Sequence, residues 1–366
     1  MTTVHRVFNF AAGPAVMPVP VLEQMQRDLL ALPGVGISIF EISHRSKEFE
    51  SIMAQTEADI RTLAGVPSNY RVLFLQGGAS LQFSMVPMNL LDRDATADYI
   101  DTGSWADKAI TEAKKIGGVH VAASTKADNY TRIPSSSEIR LTDRAAYVHI
   151  TSNNTIEGTE WKALPSVGAA PLVSDASSDM FSRPIDIASH ALVYAGAQKN
   201  MGPAGLTIVI VRDDLLERSR ARAATLPTMM NYAVHAENKS LYNTPPVVAV
   251  YATGLVMKWL LAQGGLPAIA AINERKAGKL YAEIDRTGFY RGTAAKDSRS
   301  VMNVTFRLPS EELEKTFVRE STAAGLDGLK GHRAVGGMRA SIYNAFPEAG
   351  VDALVSFMRD FERRNG

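Results

Sequence analysis

Hydrophobic residues recur along the chain at two spacings, and each spacing predicts a different element. Between residues 48 and 63 apolar side chains return every three or four positions, the period of an amphipathic helix. A second helix is predicted over 80–91, after a turn at Gly77-Gly78. Short apolar runs predict strands at 71–76, 97–101, 119–123, 146–151, 172–174, 192–195 and 206–211. With helices between some of these strands, the order predicts an α/β fold whose large domain has a mostly parallel sheet flanked by helices.

The pattern changes at about residue 266. A more polar helix is predicted over 269–285, and the apolar runs at 300–308 and 338–342 alternate with helices at 310–324 and 351–364. This mixture predicts a smaller α+β C-terminal domain that the N-terminal segment joins. We therefore expect a large domain of residues 16–264 and a small domain of residues 1–15 and 265–366.

Composition and charge narrow the classes of function. Hydrophobic residues make up 46% of the 366 residues and charged residues 21%, which is usual for a globular protein. The net charge is +1 and basic residues form no long run, so neither a nucleic-acid partner nor a membrane surface is indicated. Without cysteine the chain has no disulfide, thiolate metal site or thiol nucleophile. The seven histidines lack metal-ligand spacing, so we expect no metal.

The most apolar stretch, residues 246–263, contains Lys258 and is marginal in length for a bilayer. Pro245-Pro246 and Gly264-Gly265 bound it with the start and stop signals of an ordinary helix, so we interpret it as a core or subunit-interface helix. The first residues lack the basic-then-apolar pattern of a secretory signal. These features are consistent with a cytoplasmic location.

Lys199 is the most informative residue, because it lies between two apolar strands in a turn rich in glycine and proline. A lysine near a core is costly to desolvate, and desolvation lowers its pKa and makes its amine a nucleophile able to form a Schiff base. Spacing alone leaves a surface lysine in a strand connection equally open.

Asp175 follows the apolar run 172–174, about two dozen residues before Lys199. An acid at a strand end can hold a proton on the ring nitrogen of pyridoxal phosphate, which then acts as an electron sink. A helix N-cap is the competing interpretation, and it is favoured while Asp175 is considered alone. The Gly77-Gly78 turn, between a strand and a helix, suits an anion such as phosphate, although such turns are also common for steric reasons.

Two basic segments remain, Ser43-His44-Arg45 early in the chain and a late one with His332, Arg333 and Arg339. Arginine pairs well with carboxylates and phosphates through two parallel hydrogen bonds. Three arginines and two histidines suit a substrate that carries both groups, although any one of them could be an ordinary surface residue.

Taken in order, these segments resemble the phosphoserine aminotransferases, in the fold-type I group of pyridoxal-phosphate (PLP) enzymes. The resemblance covers nearly the whole chain. It is carried by 8–15 (FNFAAGPA), 42–45 (ISHR), 76–83 (QGGASLQF), 102–105 (TGSW), 154–158 (NTIEG), 174–178 (SDASS), 198–200 (QKN), 242–246 (YNTPP) and 336–344 (GGMRASIYN). Agreement in order and spacing is more specific than any one segment. The resemblance implies a fold-type I enzyme with PLP as cofactor, and a homodimer whose active sites are shared at the interface.

The resemblance implies a role for each cofactor residue. Lys199 would bind the cofactor covalently and later move the substrate proton, Asp175 would pair with the pyridine nitrogen, and Trp105 would stack on the ring. Thr155 would hydrogen-bond on the side of the ring hydroxyl. The phosphate would be held by Ala79, Ser80 and Gln198, with Asn243 and Thr244 from the second subunit.

The resemblance also implies the substrates, which are glutamate, 3-phosphoserine and their 2-oxo acids, in a reversible transamination of serine biosynthesis. Arg339 would bind the α-carboxylate. The pocket for the phosphate, or for the side-chain carboxylate of glutamate, would be formed by His44, Arg45, His332 and Arg333. Some members carry an arginine at the position of Ser80 and a serine at that of Ala12, so one phosphate-pocket cation is absent here. Members also act on a phosphorylated hydroxythreonine of vitamin B6 synthesis, and the sequence leaves this activity open.

Three other functions make different demands on the sequence. A cysteine desulfurase needs a cysteine nucleophile, which this chain lacks. A glyoxylate-type aminotransferase is closer but has less need of paired histidine and arginine residues. A non-catalytic phosphate-binding module would use the Gly77-Gly78 turn and leave Lys199, Asp175 and Trp105 unexplained.

Overall fold

The computed structural model of the chain describes residues 6–366, so positions 1–5 of the predicted small domain lie outside the described residues. The strands are β1 (Phe8–Asn9), β2 (Tyr70–Leu75), β3 (Thr96–Asp101), β4 (Gly118–Ser124), β5 (Val148–Thr151), β6 (Asn153–Asn154), β7 (Thr159–Glu160), β8 (Leu172–Asp175), β9 (Leu192–Gly196), β10 (Thr207–Arg212), β11 (Arg291–Gly292), β12 (Asn303–Arg307), β13 (Leu326–Asp327) and β14 (Met338–Ser341). The α-helices are α1 (Val19–Asp28), α2 (Lys47–Ala64), α3 (Gly78–Leu90), α4 (Ser104–Ala113), α5 (Asp213–Arg220), α6 (Tyr232–Glu237), α7 (Val247–Ala262), α8 (Gly265–Ile284), α9 (Glu311–Ala323) and α10 (Glu348–Asn365).

The seven strands predicted in the first part of the chain form one sheet in the order β2-β10-β9-β8-β5-β3-β4. All are parallel to one another except β10, which is antiparallel to both β9 and β2. The connection from β9 to β10, residues 197–206, is too short for the helical crossover that a parallel neighbour needs, so the chain reverses direction there. The predicted α/β fold with a mostly parallel sheet is confirmed.

Helices cover both faces of this sheet, which explains why its strands are apolar almost throughout. On one face, α2 and α7 pack against β2, β9 and β10 through buried side chains such as Phe49, Ile60 and Met257. On the other face, α3, α4 and α5 contribute Phe83, Ile110 and others to a second cluster. The covered sheet gives the connecting segments at its edges a rigid support.

The C-terminal part has its own core around the three-stranded sheet β11-β12-β14. Buried aromatic side chains pack together in this core, where Phe317 lies edge-on against Phe306 and Phe361. The N-terminal segment adds Phe10 to the same core, and β1 pairs in parallel with β13. Helix α8 contributes to this core and to the core beside α7, so the boundary predicted between residues 264 and 265 stays a prediction.

The apolar stretch predicted over 246–263 forms α7, and half of its residues are buried in the core. Across residues 6–366, we find no single helix with the length and apolar composition to span a membrane. Helices α7 and α8 satisfy those criteria only as a pair, with a bend of 83° between them.

Candidate active site

The carboxyl ends of the parallel strands β2, β3, β5, β8 and β9 meet at one edge of the sheet, where ligands bind in open α/β sheets. A cavity of about 260 Å³ opens at this edge. Seven of the predicted site residues line it: Ala79, Ser80, Trp105, Thr155, Asp175, Gln198 and Lys199. The sheet topology therefore brings together residues that are up to 120 positions apart in sequence (residues 79 and 199).

Lys199 lies in the turn between β9 and β10, as predicted, and its partly exposed side chain faces the cavity. Its Nζ donates a hydrogen bond to Oγ1 of Thr155 at 2.6 Å. Burial lowers the pKa of Lys199 to about 8; Asp175 opposes this shift and the positive charge of Arg339 adds to it. At pH 7 about a tenth of the amine is therefore neutral and nucleophilic, far more than in a surface lysine with the ordinary pKa near 10.4.

Asp175 is the last residue of β8 and is buried at the base of the cavity. The hydrogen bond it accepts from the backbone N–H of Ser177 is 3.0 Å long. Burial raises the pKa of this carboxyl, and the contacts with Ser177 and the charge of Lys199 only partly offset the rise. A positive partner inside the cavity would restore the charged form, so this acid is suited to a protonated ligand nitrogen.

The anion site predicted at Gly77-Gly78 lies at the N-terminus of α3, where no side chain caps the helix. Both glycines have left-handed backbone angles, with φ of 89° and 64°, which other residues rarely adopt. The first N–H groups of α3, including those of Ala79 and Ser80, are therefore available to an anion in the cavity. Gln198 approaches the same cavity from the turn that carries Lys199.

Trp105, in the first turn of α4, lines the cavity with its half-buried ring. Glu157 fixes this turn, because its Oε1 accepts hydrogen bonds from N–H (2.8 Å) and Oγ (2.7 Å) of Ser104. The amine of Lys108, one turn further along α4, lies 4.1 Å from the centre of the Trp105 ring. Lys108 on the same helix thus contacts the Trp105 ring, and Glu157, in the segment that follows β6, fixes the turn that carries this ring.

Arg339 on β14 lines a second cavity of about 420 Å³ with His332 and Glu157, and it is not among the residues that line the cavity of Lys199. Its Nη1 donates to the backbone carbonyl of Thr155 at 3.4 Å, so its guanidinium lies beside the residue that hydrogen-bonds Lys199. Burial lowers the pKa of His332, and the charges of Arg339, Arg333 and Lys108 add to this effect. The second cavity is therefore electropositive and suits an acidic ligand.

The other predicted residues lie elsewhere on the chain. Nδ1 of His44 is 3.3 Å from Oγ1 of Thr244, and Nε of the exposed Arg45 is 3.3 Å from Nε2 of His44. Asn243 adjoins them in sequence, and none of these four residues lines the cavity of Lys199. Arg333 is exposed beside the second cavity and is not among its lining residues. One chain thus does not bring the predicted substrate residues together.

Two residues of the site are not predicted by the sequence patterns. Glu157 belongs to the segment NTIEG, but no local pattern assigns this acid a role, because its contact with Ser104 spans 53 positions. Lys108 follows Trp105 by three residues, the spacing of neighbours on one helix face, and this spacing could have indicated it.

The chain is similar to known proteins over nearly its whole length. The family model of class-V aminotransferases matches residues 7–354. Phosphoserine aminotransferase from Herpetosiphon aurantiacus is 54% identical over 361 residues, which is 98% of this chain and 99% of that protein. The solved structure of phosphoserine aminotransferase from Bacillus circulans subsp. alkalophilus has a TM-score of 0.96 at 52% identity and covers 99% of both chains. The structure of PLP-bound phosphoserine aminotransferase from Trichomonas vaginalis has a TM-score of 0.93 at 38% identity, covering 97% of this chain and 100% of that one.

Proposed function

Because the chain belongs to the class-V aminotransferase family, and within it to the phosphoserine aminotransferases, we propose that its cavity carries out PLP-dependent amino transfer between glutamate and 3-phosphohydroxypyruvate. The products are 2-oxoglutarate and 3-phosphoserine, and the reaction is reversible. The observation that carries this proposal is the meeting of an amine with a lowered pKa, Lys199, and a buried acid, Asp175, in one cavity.

The residues of the cavity fit PLP group by group. The uncapped N-terminus of α3 suits its phosphate, and the Trp105 ring suits its aromatic plane. Within residues 6–366, Asp175 is a buried carboxyl without a positive partner at hydrogen-bond distance, and a protonated ring nitrogen would supply one. The neutral amine of Lys199 is the nucleophile that an aldehyde requires.

When bound, PLP supplies an electron sink that makes the Cα–H bond of an attached amino acid acidic. Lys199 would hold the cofactor, and its amine would take the proton from the substrate Cα as a positioned general base. The hydrogen bond from Nζ to Thr155 orients this amine, and the nearby Arg339 disfavours its protonation. Asp175 keeps a positive charge on the ring nitrogen.

The substrate is held by positive groups. Arg339 binds the α-carboxylate, since it lines the second cavity and its guanidinium donates to the carbonyl of Thr155, which lines the cavity of Lys199. His332 and Arg333 bind the substrate phosphate or the side-chain carboxylate of glutamate, together with His44 and Arg45. Ala79, Ser80 and Gln198 hold the cofactor phosphate.

We further propose that His44, Arg45, Asn243 and Thr244 act in the cavity of a second copy of the chain, in a homodimer that works in the cytoplasm. They form one cluster that is separate from the chain's own cavity. The segment before His44 exposes large apolar side chains, with Leu30 88% and Phe40 67% exposed, and Tyr242 beside Asn243 is 46% exposed. Such apolar exposure supports a subunit interface at this surface.

Borohydride trapping tests the proposed chemistry. The purified protein should be yellow, and reduction should fix the cofactor to the peptide that contains Lys199, as seen by mass spectrometry. A colourless protein that gains no colour from added PLP, or a label on another lysine, would overturn the proposal.

A further inference from the structure

Lys276, in the middle of α8, is a fully buried lysine with no part in the proposed chemistry, and its side chain has 0% exposure. Its Nζ donates hydrogen bonds to three backbone carbonyls: Ile342 at 3.0 Å, Tyr343 at 2.7 Å and Phe346 at 3.2 Å. All three belong to the turn between β14 and α10. A lysine is seldom buried without an acid, because removing an ammonium group from water is costly.

The number of acceptors matches the charged form of the side chain. An ammonium group has three N–H donors and no acceptor, whereas a neutral amine would turn its lone pair toward one of the carbonyl oxygens. Burial lowers the pKa of Lys276 to about 7, against the charge of Glu348, so the ammonium form predominates below that pH. Glu348 is itself paired with Arg275 and Lys279, so the carbonyls are the groups in direct contact with the charge.

We propose that the carbonyls of Ile342, Tyr343 and Phe346 form a monovalent-cation site whose occupant is the ammonium group of Lys276, and that this internal cation positions the turn that supports Lys199. The ligand class of the site is thus a small cation that donates hydrogen bonds. Lys276 acts as a positioning residue and does not touch the substrate or the cofactor.

The turn reaches the active site through Asn344. Its backbone N–H donates to Oδ1 of Asn200, the neighbour of Lys199, at 3.0 Å. Its side chain donates to the carbonyl of Phe181 at 2.9 Å and accepts a hydrogen bond from Asn273, one turn before Lys276 on α8, at 2.8 Å. Helix α8 therefore holds the turn at two points, through the amine of Lys276 and through the side-chain amide of Asn273.

Tyr343 gives the turn a second route to the site. Its hydroxyl donates to the carbonyl of Ala12 at 2.8 Å. The same N-terminal segment is tied to the lysine turn, because the N–H of Ala15 donates to the carbonyl of Gln198 at 2.8 Å. A shift of the turn would therefore move the residues on both sides of Lys199.

The Lys276→Ala variant tests the cation site directly. Alanine keeps Cβ, and the atoms that the substitution removes (Cγ, Cδ, Cε and Nζ) correspond to n-propylammonium. We expect Lys276→Ala to lower the Tm of the cofactor-free protein by about 5 °C or more, and n-propylammonium chloride to restore it in a concentration-dependent way, since a ligand of the folded state stabilises it. Propanol, which is neutral, and tetramethylammonium, which donates no hydrogen bond, should not restore it. Equal rescue by propanol would show that only volume is missing and would overturn the proposal.

Lys279→Ala is the matched control, because Lys279 lies one turn further on α8 with its amine in exposed ion pairs to Glu348 and Asp352. We expect a small change in Tm for this variant and no response to n-propylammonium beyond that of the unmodified protein. A similar response of both variants would assign the effect to salt and contradict the site.

The positioning role rests on the proposed function and needs its own readout. In the holoenzyme, Lys276→Ala should shift the pH midpoint of the cofactor's visible absorption band, and n-propylammonium should return it. An unchanged midpoint with a rescued Tm would overturn positioning while leaving the cation site. A protein that binds no PLP would refute the proposed function, and the Tm measurement on cofactor-free protein would still decide the site.

Lys276→Met covers the case in which the alanine variant does not fold. Methionine fills most of the volume with apolar atoms and leaves the three carbonyls without a donor. A lowered Tm, or failure to fold, would show that the three carbonyls need a hydrogen-bond donor here, as the proposed site requires. A Tm equal to that of the unmodified protein would overturn it.

Discussion

Two groups of predicted site residues differ in how the chain holds them. The cofactor group, Lys199 with Asp175 and their neighbours, lines one cavity at the carboxyl edge of the seven-stranded sheet. The substrate group is divided, with His332 and Arg339 beside that cavity and His44 with Arg45 in a separate, largely exposed cluster near Thr244. The first group is fixed by the topology of one chain, and the second is complete only if another chain supplies part of it.

This difference separates chemistry from specificity. In the proposed function, the cavity of Lys199 holds the groups that the reaction requires for any amino acid. The cluster of His44 and Arg45 lies on a surface segment with exposed apolar side chains, and in the proposed homodimer it would act in the cavity of the other subunit. Changes in the first group should therefore affect all substrates, and changes in the second should depend on the substrate phosphate.

The largest effect is expected from Lys199→Ala. Removing the amine that holds the cofactor and moves the proton should lower kcat for every substrate by at least about 10⁴-fold. The fold should persist, as judged by circular dichroism, and the exposed Lys114→Ala variant should retain full activity. Full turnover by Lys199→Ala would contradict the role proposed for Lys199 and for the cofactor group.

Asp175→Asn should have the next largest effect, because it keeps the shape of the side chain and removes the charge that faces a protonated ring nitrogen. We expect kcat to fall by about 10²- to 10³-fold, the loss typical of one charge-stabilising group in an active site. The loss should be the same for phosphorylated and unphosphorylated substrates. Asp143→Asn, at an exposed position, serves as the control, and an equally active Asp175→Asn variant would refute the assigned role.

Arg45→Ala should produce a smaller and selective loss. One charged hydrogen bond to a phosphate is worth about 1.5–3 kcal/mol, so kcat/KM for 3-phosphoserine should fall by about 10- to 100-fold. For serine, which lacks the phosphate, kcat/KM should change little. Equal losses for both substrates would place Arg45 outside the phosphate pocket.

The smallest effect concerns pH and stays within the first group. Because the pKa of Lys199 is lowered to about 8, the neutral fraction of its amine rises with pH and levels off above that value. Labelling of Lys199 by an amine-selective reagent in cofactor-free protein, followed by mass spectrometry, should rise about fivefold between pH 7 and 8 and little above pH 9. Labelling of free Nα-acetyl-lysine, whose side-chain amine has an ordinary pKa near 10.4, should keep rising through this range. A Lys199 curve parallel to that of acetyl-lysine would contradict the lowered pKa.

Sequence patterns were sufficient where a feature is local. The run at 71–76 became β2 (Tyr70–Leu75) and the run at 338–342 became β14 (Met338–Ser341), each within one residue. Lys199 and Asp175 could be identified because each follows an apolar strand, and both strands end at the same edge of the sheet. Residue spacing left each of them open to another interpretation, and the family resemblance gave them their roles.

Features that depend on packing between distant segments were not predictable. The place of antiparallel β10 beside β2 follows from pairing across more than a hundred residues. Glu157 acts through a helix that begins 53 positions earlier, and Lys276 lies in a helix whose sequence gives no sign that its amine meets three carbonyls. Surface clusters such as His44 and Thr244 also depend on contacts that local patterns do not contain.

Mixed dimers test the division between the two groups most directly. Lys199→Ala and Arg45→Ala chains with different tags would be co-expressed, and the heterodimer purified and assayed with 3-phosphoserine. If Arg45 acts across the interface, one site carries both substitutions and the other neither, so the heterodimer should show about half of the unmodified kcat, with an unmodified KM. If Arg45 acts within its own chain, each site carries one substitution. Activity no higher than that of an Arg45→Ala site would then contradict the shared active site.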